Sequence, residues 1–168
     1  MNLKTLIILS SLLITTIAHA EIISKEIDYR QGDTIMKGML AYDGDIKGKR
    51  PGVLIVHEWW GHNKHARDKA KMLAEEGYVA FAVDMYGDRK NADHPDDAGK
   101  FSSAVAGNMP LAKARFTAAM DTLRAQPNVE PDKLAAMGYC FGGGVVLNMA
   151  RMGVELKGVS SFHGSIAT

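Results

Sequence analysis

From residue 22 the hydrophobic and polar positions first alternate and then gather into short apolar runs separated by amphipathic stretches. Residues 22–29 and 34–42 alternate loosely around Gln31-Gly32-Asp33, which predicts a β-hairpin closed by a short Gly-containing loop. Residues 43–51 are polar and Gly-rich and read as a connection. Beyond them, residues 53–56 predict a buried strand, 63–76 a helix closed by Gly77, and 79–83 another strand. A polar loop rich in Asp and Gly follows. A helix is then predicted from about residue 110 to 125, with Pro110 near its start and Leu111, Ala114, Ala118 and Leu123 at helical spacing. Residues 134–139 predict a strand, 143–152 a helix and 156–162 a last strand. Repeated βα units imply an α/β fold, a mostly parallel sheet with helices on both faces and the hairpin at its N-terminal side.

The first twenty residues follow a different rule. Lys4 precedes an apolar stretch over residues 6–17, and Ala18-His19-Ala20 forms a small-x-small site. That is the pattern of a signal peptide over residues 1–20, cleaved before Glu21, and it predicts an exported protein, periplasmic or secreted. About twelve apolar residues fall short of the ~20 that a spanning helix needs, so no membrane association is expected after cleavage.

Composition adds limits. The chain has 168 residues, 46% hydrophobic and 23% charged, as expected for one globular domain over residues 21–168. Removing Lys4 from 20 basic and 19 acidic residues leaves 19 of each. A neutral balance gives no electrostatic footprint for nucleic acid. The single cysteine, Cys140, has no partner for an internal disulfide, so its presence in an exported chain calls for another reason.

That reason lies in Gly138-Tyr139-Cys140-Phe141-Gly142-Gly143-Gly144, between a predicted strand and a predicted helix. Strand, turn and helix form the context in which G-x-nucleophile-x-G acts as an elbow, as in the α/β-hydrolase fold. Glycines two before and two after the nucleophile allow strand and helix to approach closely, and a thiol at a helix N-terminus is favoured as thiolate. The alternative is a packing cysteine in a Gly-rich turn. A dinucleotide loop does not fit, because Cys140 stands where G-x-G-x-x-G requires its second glycine.

The second group is His57-Glu58-Trp59-Trp60-Gly61-His62, directly after the strand over 53–56. This loop supplies one oxyanion N–H in an α/β-hydrolase and the residue after the nucleophile supplies the other, which points to Trp59 and Phe141. Trp60 would wall an apolar substrate pocket. Glu58 is a candidate partner that orients or deprotonates the thiol, against the plainer reading of a loop carboxylate held by backbone N–H groups. His57-Glu58 does not begin a zinc helix, because the next histidine comes five residues on. His62 and His65 could pair on a metal only with a third ligand, and none is evident, so neither metal nor cofactor is expected. Tyr86 and Arg89 follow the strand over 79–83 at the same end of the sheet and are candidates for substrate binding, Arg89 as a bidentate carboxylate clamp. His163 ends the last strand at that edge and could serve as a base.

The loop at residues 57–61, the Asp84-Met85-Tyr86-Gly87 turn and the elbow at 138–143 occur in the order found in the dienelactone hydrolase family, which the chain resembles over about residues 22–168. The resemblance implies a Cys-His-Asp triad that hydrolyses enol-lactones or related small-molecule esters through an acyl-enzyme. It implies Cys140 as nucleophile, a thiolate-generating role for Glu58, and Trp59 and Phe141 as oxyanion donors. It also implies that the family's acid and histidine lie beyond Thr168, so the domain is expected to be incomplete, without its C-terminal strands and helices, and to turn over slowly or not at all. Two other readings stay open: a binding module without catalysis, and an acyl or thiol transferase using the same thiol. Neither substrate nor oligomeric state follows from the sequence.

Overall fold

The computed structural model describes residues 21–166; the proposed signal peptide lies outside them. Strands β1 (Ile22–Gln31) and β2 (Thr34–Asp43) form an antiparallel hairpin, with Gln31 opposite Thr34. Gly32, at φ 55°, takes the left-handed turn between them. Next come β3 (Arg50–Val56), α1 (Lys64–Glu75), β4 (Val79–Val83), α2 (Pro95–Ala106), α3 (Met109–Arg124), β5 (Val129–Tyr139), α4 (Phe141–Arg151) and β6 (Val159–Phe162). One six-stranded sheet results, in the order β1-β2-β4-β3-β5-β6. β4, β3, β5 and β6 run parallel, and β2 joins β4 antiparallel.

Alternation along the central strands sorts side chains by face. Leu54 and Val56 of β3, with Val79, Phe81 and Val83 of β4, enter a core of large residues that Phe116 and Leu123 of α3 and Val146 and Met149 of α4 complete. Their neighbours Ile55, Ala80 and Ala82 face the other way, against Ala66, Ala70 and Ala74 of α1. Alanines on both sides of that contact let α1 lie close to the sheet. Helices therefore cover both faces, and the mostly parallel α/β architecture is the one the apolar runs imply.

The element boundaries depart from expectation in instructive places. The expected polar loop after β4 contains α2. It has Pro95 in its first turn, a His94 N-cap whose ring accepts from the Asp96 N–H, and Asp96 and Asp97 at its positive end. Only Ala98 and Val105 of α2 are buried, too sparse an apolar stripe to show as a period. α4 begins at Phe141 rather than residue 143, β6 begins at Val159 rather than 156, and β3 and β5 start earlier than the apolar runs suggested. The pairing of β3 with β5 shifts register between Arg50 and Gly52, so their first residues belong to an irregular section. Among the described residues no helix is long and apolar enough to cross a membrane.

Candidate active site

Parallel strands bring their C-terminal ends to one edge, and the chemistry-bearing residues sit one position beyond them. Val56 pairs with both Val83 and Gly138, and Tyr139 with Phe162, so His57, Asp84, Cys140 and His163 follow adjacent strand ends. Ligands in open parallel sheets bind at such an edge.

Cys140 occupies the turn from β5 into α4 with φ 52° and ψ −116°, a backbone conformation that costs a non-glycine residue of order 1–3 kcal/mol. Its N–H donates to Phe162 O at 2.9 Å, and its carbonyl accepts the Gly144 N–H at 3.2 Å. The flanking glycines are required by contact. A Cβ on Gly138 would stand 2.1 Å from Gly142 O, and one on Gly142 would stand 2.3 Å from Val56 O and 2.6 Å from His57 O. The start of α4 thus presses directly on the strand end that leads into the 57–62 loop. Cys140 is half-buried and its thiol is free of any disulfide.

The 57–62 loop is tied down from several sides. His57 is buried; its Nδ1–H donates to Glu58 O at 2.5 Å and its Nε2 accepts the Met85 N–H at 3.2 Å. Burial pushes its pKa down to about 4, so the ring is neutral at neutral pH. The Tyr86 hydroxyl donates to Trp59 O at 3.0 Å, and the Ala92 N–H to Trp60 O at 2.9 Å. Gly61, at φ 99°, bridges to Asn91 with no room for a Cβ, which would meet Lys90 O at 2.2 Å. Neither the Trp59 nor the Phe141 N–H has an acceptor among the described residues, and Phe141 opens α4, where first-turn donors are unpaired within the helix.

The second loop is organised by Asp84. Its Oδ1 accepts the N–H groups of Tyr86 and Gly87, its Oδ2 those of Lys37 and Arg89, all within 2.8–3.1 Å. Met85 O accepts from Arg115 Nη1 at 2.7 Å. Asp84 is fully buried, and the four N–H donors satisfy both of its carboxylate oxygens there.

A cleft of about 520 Å³ opens beside the elbow, lined by Cys140, Phe141, Met109, Val145, Asn148 and His163 among others. Met109 and Val145 come from α3 and α4 and carried no sequence signal beyond their apolar character. The other expected site residues are placed as follows. Tyr86 is buried between His57, Phe101 and Phe141, with ring centroids 4.7–5.6 Å away, and its hydroxyl is engaged by Trp59. Trp60 packs edge-on against Trp59 at 5.1 Å and does not line this cleft. The Glu58 carboxylate lies 3.5 Å from His65 Nδ1, not against the thiol. The Arg89 guanidinium pairs with Glu26 on β1, at the opposite side of the sheet from the elbow, and does not line this cleft. His62 and His65 do not converge, since His62 is buried with its Nε2–H on Ala82 O at 3.0 Å while His65 faces Glu58. His163, at φ 43°, reaches the same cleft as Cys140.

A cysteine on a left-handed turn between a parallel strand and its helix, with a loop from the adjacent strand beside it, is the nucleophile-elbow arrangement of the α/β-hydrolase fold. Comparison with known proteins narrows this class. The model of the dienelactone hydrolase family matches residues 36–168, and the chain belongs to that family. It is 40% identical over 97 residues to Protein usf of Aquifex pyrophilus, covering 55% of this chain and 42% of that one. Among solved structures, m3DLH superposes with a TM-score of 0.84 at 39% identity, over 87% of this chain and 61% of the other. The dienelactone hydrolase-like promiscuous phosphotriesterase P91 from metagenomic libraries gives 0.83 at 37% identity, over 87% and 60%. The chain spans 42–60% of the length of the first curated relatives it matches.

Proposed function

We propose that the protein hydrolyses carboxylic esters or lactones through a thioester on Cys140. The observation that carries this reading is the Cys140 backbone, held at φ 52° where only a built turn keeps a non-glycine residue, at the mouth of a largely apolar cleft. The thiolate sulfur attacks the substrate carbonyl carbon, and the C=O electron pair moves onto oxygen between the Trp59 and Phe141 N–H groups. Collapse expels the alkoxide or enolate, leaving an acyl group on sulfur that water then removes. Glu58 receives the thiol proton, exchanging its contact with His65 for one with the sulfur once substrate is bound. Residues 1–20 carry the further proposal that the enzyme is exported, which N-terminal sequencing of the mature protein checks.

Glu58 serves the thiol in acylation, whereas His163, the histidine in the cleft, has no acid partner among the described residues to help it activate water, so acylation is expected to outrun deacylation. Mixed rapidly with p-nitrophenyl acetate, the protein is expected to release up to one equivalent of p-nitrophenolate in a burst and then turn over slowly, with mass spectrometry locating the acetyl group on Cys140. Cys140→Ala removes the burst. Glu58→Gln slows it on the order of a hundredfold, the scale of a lost general base. A burst of undiminished size in Cys140→Ala overturns the assignment.

A further inference from the structure

His57, which heads the 57–62 loop and stacks on Phe141, has both ring nitrogens engaged, and neither engagement is with an acid or the thiol. The Met85 N–H donates to Nε2, which must therefore carry a lone pair, and this puts the proton on Nδ1. Nδ1–H donates in turn to the carbonyl oxygen of Glu58 at 2.5 Å. That carbonyl belongs to the same peptide unit as the Trp59 N–H. Gly61 N–H donates to the same oxygen at 3.2 Å. The ring is gripped by the Tyr86 edge at 4.7 Å and stacked on Phe141 at 5.7 Å, so the residue that supplies the second proposed donor also sets the ring's position.

We propose that His57 is the positioning residue of the oxyanion hole: its Nδ1–H fixes the Glu58–Trp59 peptide plane and polarises it, so that the Trp59 N–H is aimed and strengthened as a donor. Hydrogen bonds in series polarise one another, and a donor on the carbonyl oxygen makes the N–H of the same amide more positive. Aim matters as much as strength, because the donor acts on charge that develops only in the transition state. The neutral ring suits this role, since a second proton would fall on Nε2 and face the Met85 N–H. The inference rests on the proposed thioester chemistry and on Trp59 as donor within it.

Two reactions of Cys140 separate this role from general support of the fold. Acylation by p-nitrophenyl acetate passes through an oxyanion; alkylation by iodoacetamide displaces iodide at carbon and forms none. His57→Leu removes the Nδ1 donor, whereas His57→Asn keeps an N–H on the atom attached to Cγ. The acylation burst is expected to slow on the order of tenfold in His57→Leu, less than the hundredfold or more for losing a donor outright. His57→Asn is expected to recover most of that loss, while alkylation of Cys140 stays within about twofold of the parent in both. Equal slowing of both reactions in His57→Leu, or acylation no faster in His57→Asn than in His57→Leu, overturns the positioning role. If the unsubstituted protein shows no Cys140-dependent burst, it is the thioester reading that fails. Should His57→Leu not fold, His57→Asn against the parent still decides, because acylation slowed more than tenfold beside unchanged alkylation contradicts the rescue.

Discussion

Cys140 and Gly142 show how much of the site was legible residue by residue. The spacing of glycines around one cysteine is a local property of seven residues, so the elbow could be read before any fold was known. The structure adds what Gly142 is for: its missing Cβ is the space occupied by Val56 O. Gly142→Ala is therefore expected to destabilise the protein by about 1–3 kcal/mol, the usual range for overpacking where the obstacle is backbone. A lowered urea midpoint checks this, and an unchanged midpoint contradicts the contact. His57 could not be read in the same way, because its partners are the carbonyl of the next residue and the N–H of Met85, and backbone atoms leave no trace in a pattern of side chains. The ion pair of Arg89 was hidden for a related reason. Its partner Glu26 lies 63 positions earlier, on a strand that is brought near only by the hairpin's docking onto β4.

At the scale of elements, legibility followed burial. β3 and β4 are buried along nearly their whole length and are plain as apolar runs, whereas α2 hides only Ala98 and Val105 and shows no helical period. What marks α2 is its first turn, with a capping His94, Pro95 and two acids, a signal that is electrostatic rather than hydrophobic. α1 has the same kind of dependence at its start, where Asn63 Oδ1 accepts the N–H groups of His65 and Ala66. Asn63→Ala is expected to cost about 1 kcal/mol, measured by equilibrium unfolding. Because α1 follows the 57–62 loop directly, the same substitution is expected to raise hydrogen exchange at Gly61, whose N–H donates to Glu58 O, before it is felt in β5.

For the molecule as a whole, pH acts through buried histidines. His57 titrates near 4 when folded and near 6.5 when unfolded, and burial shifts His62 in the same direction. The unfolded chain thus binds more protons between those values, so the stability His57 contributes is complete above about pH 6.5 and falls by about 1.4 kcal/mol per pH unit towards pH 4. Urea unfolding at pH 7, 6 and 5 checks the slope, which is expected to be shallower in His57→Asn. An identical slope in the two proteins would assign the acid sensitivity elsewhere.

The strand order carries a consequence in time. β3, at the centre of the sheet, is made before both of its neighbours, and Cys140 follows Glu58 by roughly eighty residues. At ~5–20 residues per second, a ribosome delivers the loop at least several seconds before the thiol. The Cys140 sulfur is thus the last of these groups to be synthesised, arriving when β3, β4 and the loops that would receive it are already available.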